Sequence, residues 1–196
     1  KAFKGGFCIN QWLIENGYLV LKEEVNMVKK ISAEMIDWKR TKVWAEGGYY
    51  ARCFFNIKGR EISGTIDMGE VERLKEKIKS ELGFVKDEKG FFLKHKVLFP
   101  EKIYVECNGI PPDMMIYPDD LNYRAISSIG HDSFITNQND SGPDGANHDY
   151  EGLFILTGKG LEHKKVKQIS IYDVLPTILS RMDMPLPEDI KGKVVV

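Results

Sequence analysis

No stretch of this chain approaches the roughly 18 consecutive apolar residues that a bilayer-spanning helix needs; Gly, Pro or charge interrupts every candidate. Cysteine is scarce. Cys8, Cys53 and Cys107 are an odd number at wide spacing, with no CxxC, which excludes a disulfide framework and a zinc finger. The simplest setting is a reduced, cytoplasmic one, with each thiol buried and inert. Neither sign of charge dominates: 28 Lys and Arg face 29 Asp and Glu, a net charge of −1. That balance gives no case for nucleic acid or an anionic membrane as partner. GxSxG, the P-loop and HExxH are absent, and Gly-x-Gly occurs only at Gly158 and Gly160, without the third glycine of a dinucleotide fingerprint. There is no internal repeat and no low-complexity segment.

What is present is a globular composition, 42% hydrophobic and 29% charged, long enough for one large or two small domains. Residues 1–7 read as loop, so the chain is expected to be a proteolytic fragment or a processed product. Asn10 suits the N-cap of a short helix through residue 16, closed by Gly17. Residues 18–21 read as a short strand, and Ser32 as the cap of a helix over residues 33–38. Residues 42–45 and 52–57 read as strands separated by Gly47 and Gly48, with Cys53, Phe55 and Ile57 on one face. The clearest helix spans residues 69–82, where Val71, Leu74, Ile78 and Leu82 share a face and the charges form a solvated one. A strand follows at 91–98, and Pro111-Pro112 marks a candidate boundary before a short buried strand at 113–117. Residues 153–157, LFILT between Gly152 and Gly158, read as a strand buried on both faces. The last helix is expected over residues 173–182, with Asp173 as N-cap and Pro176 in its first turn.

Residues 118–150 are polar and loop-like, and a loop that long is usually functional or mobile. From His131 to Gly152 it carries Asp132, Asp140, Asp144, His148, Asp149 and Glu151, the one dense set of ligand-type residues. Imidazole and carboxylates on a glycine-rich loop suit a divalent metal. An EF-hand is excluded: Asn137, Asn139, Ser141 and Gly142 fit its early positions, but the twelfth is His148 where calcium needs a bidentate Glu. Spacing alone does not separate His148 from an ordinary solvated loop histidine. His131 carries the same ambiguity, while His95 and His163 lie in charged segments expected to be exposed.

Four stretches, FCINQWLIENGYL from Phe7, KVWAEGGYYARCFFNIKGRE from Lys42, GPDGANHDYEGLFILTGKG from Gly142 and ISIYDVLPTIL from Ile169, resemble in this order the type I phosphodiesterase/nucleotide pyrophosphatase group of the alkaline phosphatase superfamily. The resemblance spans most of the chain. It implies an α/β core with a mostly parallel sheet, two divalent metals, commonly zinc, at the carboxyl ends of its strands, and a Thr or Ser nucleophile. The metals would clamp the phosphoryl group and stabilise its charge. The family's glycine-then-histidine pattern falls on Gly145 to Phe154 and makes His148 a metal ligand, with Asp144 or Asp149 receiving its second ring N–H.

No residue here matches the family's nucleophile or its Ser-Asp-His-Gly ligands, so no catalytic residue is assigned. The resemblance therefore implies an α+β accessory, cap-like region over residues 1–110. The C-terminal part of an alkaline-phosphatase-like α/β core would follow over 111–196. His148 should lie near the amino end of the 153–157 strand. The implied partners are the missing N-terminal core and a phosphoester or nucleotide-like small molecule. Metal would be held by the complete enzyme and not by this chain alone. Unpartnered apolar faces, with Val174, Ile178 and Met182 on the last helix, would favour self-association. Two rival readings are a self-contained, non-catalytic binding module and a subunit completing a separately encoded N-terminal half.

Overall fold

The computed structural model describes residues 1–139, 142, 145–161 and 168–196. They divide into two compact units, Lys1–Tyr150 and Glu151–Val196. Mixed helices and strands make the fold α+β.

The larger unit holds seven strands and three helices among its described residues: β1 (Gly6–Cys8), α1 (Ile9–Glu15), β2 (Val43–Glu46), β3 (Ala51–Phe55), α2 (Val71–Leu82), β4 (Lys96–Leu98), α3 (Pro100–Ile103), β5 (Met114–Tyr117), β6 (Arg124–Ile126) and β7 (Ile135–Thr136). Four of the strands form an antiparallel sheet in the order β2-β3-β5-β4. Its inner face follows the period of two: Cys53, Phe55 and, just past the strand, Ile57 are all buried, as their alternation predicts. The other three form a small sheet, β6-β1-β7, with β1 parallel to β6 and antiparallel to β7. Gly47 and Gly48 join the sheets. Gly48 exchanges backbone hydrogen bonds with Ala125 at 2.8 and 2.9 Å. A Cβ on Gly47 would sit 2.5 Å from the Ala125 carbonyl oxygen, so only glycine allows this approach.

Helix α2 buries Val71, Ile78 and Leu82 on the predicted face. Its charged side is not wholly solvated, however. Lys75 is buried, with its ammonium 2.8 Å from Glu101 and 3.2 Å from Glu72. Burial alone would lower its pKa; hydrogen bonds to the two carboxylates outweigh that and raise it.

Several expected elements differ. Asn10 does not cap α1; it lies inside the helix and is fully buried. Residues 18–21 form no strand beyond a single bridge between Leu21 and Ile36, and the helix expected at 33–38 is one 3₁₀ turn, Ala33–Met35. The strand expected at 91–98 shortens to β4 because residues 85–93 close into a tight ribbon first. Cys107 is exposed, while Cys8 and Cys53 are buried as expected. The compact units part at Tyr150/Glu151 and not at Pro111: β5 is hydrogen-bonded to β3 and β4, and β6 to β1, across the expected boundary.

One ion pair locks that crossing. Both Nη atoms of Arg60 donate to Asp113 at 2.7 Å, and Nη2 also donates to the Phe55 carbonyl at 2.7 Å. Asp113 in turn accepts from the Phe55 N–H at 2.7 Å. The fork holds the end of β3 to the start of β5, and the bond to Asp113 holds the guanidinium pKa above its ordinary value despite partial burial. Arg60→Ala should cost roughly 1–2 kcal/mol, read as a fall in the urea midpoint at unchanged m-value. An unchanged midpoint would mean that the fork contributes no more than a surface pair.

The smaller unit contains a 3₁₀ turn, Ile171–Asp173, running into α4 (Val174–Arg181). Asp173 takes the N-cap position of α4, as expected, but makes no side-chain cap bond there; the capping box belongs to the 3₁₀ turn, where the Ser170 hydroxyl accepts from Tyr172 N–H and the Asp173 carboxylate accepts from Ser170 N–H at 2.9 Å. Asp173 also accepts from Lys193 N–H at 2.9 Å, and these backbone donors hold its carboxyl below the usual range. Pro176 falls in the first turn, as its missing N–H requires.

The strand expected at residues 153–157 is not formed. Leu153 and Ile155 are 86% and 72% exposed, and no described residue pairs with this run. An apolar stretch becomes a strand only where a neighbouring backbone completes its ladder, and the described residues of this unit supply none. Of the three residues expected to lack partners, Ile178 on α4 and Met182 at its C-cap are exposed while Val174 is half-buried; Leu175 is exposed as well.

Candidate functional site

His148 sits on a segment fixed by backbone bonds. Ala146 bridges Ala2 antiparallel, Phe3 N–H donates to the Gly145 carbonyl at 3.0 Å, and Asn147 N–H donates to the Lys1 carbonyl at 2.7 Å. Two buried side chains support it from beneath. Arg124, on β6 and 1% exposed, donates from Nη2 to the Ala146 carbonyl at 2.6 Å and from Nη1 to Asn139 Oδ1 at 3.0 Å. Asn147 donates from Nδ2 to the carbonyls of Leu121 and Tyr123, while its buried Oδ1 has no hydrogen-bond partner among the described residues.

The ring of Tyr49 bridges the buried cation to the imidazole. The Arg124 guanidinium lies 4.8 Å from the Tyr49 centroid, and Tyr49 meets His148 edge-on at 3.7 Å. His148 itself is exposed and makes no hydrogen bond or ion pair among the described residues. Its two ring nitrogens are therefore open to an incoming group while its backbone is held.

Beside it, residues Asp119, Asp120 and Leu121 turn left-handed in succession, at φ of 45°, 52° and 69°. Non-glycine residues pay roughly 1 kcal/mol or more each for this conformation. Polar contacts hold the turn. Asp119 accepts from Lys94 N–H at 3.0 Å and from Asn122 Nδ2 at 3.1 Å, and the Asp120 carbonyl accepts from Lys1 Nζ at 2.8 Å. Tyr150 donates its hydroxyl to Asp120 at 2.9 Å and accepts from Lys96 at 3.3 Å. Burial, then the bond to Asp120 and the charges of Asp120 and Asp149, push the Tyr150 hydroxyl pKa up to about 12. It is a donor, never a phenolate, near neutrality.

The other sequence candidates are dispersed. Asp149 pairs with Lys1 at 3.6 Å and accepts from Tyr150 N–H at 2.8 Å, not from His148. Asp140, Asp144 and His163 lie outside the described residues. His131 Nε2 is 2.9 Å from Ser128 Oγ, a local link in the loop after β6. His95 is not exposed as expected: both ring nitrogens are buried without a hydrogen-bond partner among the described residues, against Phe7 at 4.8 Å. Among the described residues no group of three His, Cys, Asp or Glu could hold a metal.

The supporting residues Arg124, Asn147 and Tyr49 escaped the sequence reading. Arg124, between Tyr123 and the apolar Ala125-Ile126, was the available signal, since a lone cation entering a buried strand must be paired. Comparison of the chain with protein-family models, curated proteins and solved structures returns no match.

Proposed function

We propose that this chain is the C-terminal part of a metal-dependent phosphoester hydrolase of the phosphodiesterase/nucleotide pyrophosphatase kind, to which it contributes His148 as one metal ligand. The observation that carries this reading is an open imidazole on an anchored backbone, within the GPDGANHDYEG stretch that resembles the family's ligand motif. Arg124 and Asn147 fix the main chain just before His148, at Ala146 and Asn147, and Tyr49 packs against its ring. A complete site needs further donors, because metal chemistry on a phosphoester requires each ion to be held by several ligands with one position open. The reading also requires residues 153–157 to pair with strands outside this chain, which would cover the run now exposed. A cytoplasmic setting belongs to the same proposal and rests on three cysteines that form no disulfide.

The test uses bis-nitrophenyl phosphate with zinc or manganese. The chain alone should show no metal-dependent turnover. Completed by the missing core, the enzyme should release nitrophenol, and His148→Ala should cut that at least about a hundredfold. Turnover by the isolated chain that vanishes in His148→Ala would show that the donor set is more complete than proposed. Activity of the completed enzyme that ignores His148→Ala would remove the ligand role.

A second reading, a non-catalytic binding module, is favoured by one fact: Lys1–Tyr150 buries a contiguous apolar core of its own. Intact-mass measurement on the native source protein separates it from the first, and from a subunit that completes a separately encoded half.

A further inference from the structure

His95 stands between the core and the turn that supports the His148 segment. Its ring lies 4.8 Å from that of Phe7 on β1, and both of its nitrogens are buried without a hydrogen-bond partner among the described residues. The neighbouring Lys94 N–H donates to Asp119 at 3.0 Å, so one carboxylate closes the segment that carries His95 onto the left-handed turn. The same carboxylate accepts from the Asn122 amide at 3.1 Å and lies 4.0 Å from Lys4 Nζ.

From that turn the support passes directly to the His148 segment. The carbonyls of Leu121 and Tyr123 accept from the Asn147 side chain, and the Asp120 carboxylate accepts from the Tyr150 hydroxyl at 2.9 Å. The left-handed backbone of residues 119–121 is strained for side chains of this size, so it persists only where such contacts hold it.

Around His95, β1 brings the uncharged Phe7, the turn brings Asp119, and its own segment brings Lys94 and Lys96. Lys94 is exposed, and Lys96 turns to Tyr150, 4.6 Å over its ring. Asp119 also acts on Tyr123, together with Asp87 and Glu88 of the loop after α2. Burial disfavours the charged imidazole, and Asp119 is the acid that opposes this.

We propose that His95 is an acid-operated latch on the segment that carries His148. The imidazolium leaves Phe7 and pairs with Asp119, drawing the carboxylate off Lys94 N–H and Asn122. The turn then relaxes, Leu121 releases Asn147, and residues 145–147 lose their support. An imidazolium held against Phe7 has no hydrogen-bond acceptor, whereas the released form gives it a carboxylate. The latch governs how the segment is held, whether or not His148 ligates a metal. One proton drives the change. Below pH 6.5 the ratio of released to held form therefore rises about tenfold per pH unit, until His95 titrates in the held form as well.

Nuclear magnetic resonance of the full chain between pH 7.5 and 4 tests this. The His95 ring protons and the amides of residues 119–122 and 145–147 should shift with one shared midpoint between pH 6.5 and 4. The amides of β2 and β3 should stay in place. His95→Phe should abolish the shared shift, and Asp119→Asn should uncouple it, leaving His95 to titrate while residues 145–147 stay still. Amides of 145–147 that do not move down to pH 4 would overturn the proposal. So would a shift that persists in His95→Phe, which would assign it to Asp120 or Asp149, or one that stays coupled in Asp119→Asn. Simultaneous collapse of every amide, those of β2 and β3 included, would overturn it too, as plain acid unfolding.

Discussion

Asn10→Ala should lower the unfolding free energy of the larger unit by about 3–5 kcal/mol, far more than the ~1 kcal/mol that losing a helix cap costs. The side chain is fully buried. Its Nδ2 donates to the Ala45 carbonyl at 2.8 Å and to the Ser127 carbonyl at 3.0 Å, and its Oδ1 accepts from Ala45 N–H at 3.0 Å. One amide thus ties β2 in the four-stranded sheet to the segment leaving β6 in the other. Truncation strands three backbone groups away from water. Asn10→Asp separates the two roles. Aspartate is an excellent cap, so a capping position would tolerate it. Here it would turn a carboxylate oxygen toward two carbonyls and destabilise about as much as alanine. Urea midpoints of the two variants decide, and a near-neutral Asn10→Asp would contradict the bridging role.

Acid should weaken the protein through His95. Burial pushes its imidazole down from 6.5 to about 4, with the Asp119 carboxylate opposing part of that shift. The folded state therefore resists protonation that the unfolded chain accepts. Above pH 6.5 neither state binds the proton and the contribution to stability is complete. As pH falls from 6.5 towards 4 the unfolded state gains protons first, so stability is lost across that window and levels off below it. The shift corresponds to about 3 kcal/mol. His95→Phe keeps an aromatic ring against Phe7 and removes two buried nitrogens that have no hydrogen-bond partner among the described residues. It should match or exceed the parent's stability at about pH 7.5 and flatten the decline to about pH 4.5. An identical decline in both proteins would place the acid sensitivity elsewhere.

The sequence announces elements whose periodicity is strong and local. Val71, Ile78 and Leu82 foretell α2, Cys53 and Phe55 the inner face of β3, and the apolar run after Asp113 foretells β5. It does not announce the three-stranded sheet. Its strands are two or three residues long, and β1 falls partly in residues that read as loop. The same limit explains residues 153–157: apolar composition states a preference for burial, but strand formation depends on a partner that local sequence cannot specify. The choice of His148 as a candidate ligand rests on resemblance. Its supports, Arg124, Tyr49 and Asn147, come from three separated parts of the chain, so no spacing rule brings them together.

The pairing of β1 with β6 also orders events in time. The partners lie roughly 120 residues apart, whereas the whole four-stranded sheet is drawn from residues 43–117. On a ribosome, β1 emerges before the four-stranded sheet and waits, with Phe7 and Cys8 still to be buried, while that sheet assembles around nearer contacts. The small sheet closes only once β6 and β7 have been made. Residues 145–147, which join residues 1–3, come later still. The His148 position is thus among the last parts of this unit to mature, and a chain interrupted before Asn147 would carry a folded antiparallel sheet with no anchored imidazole.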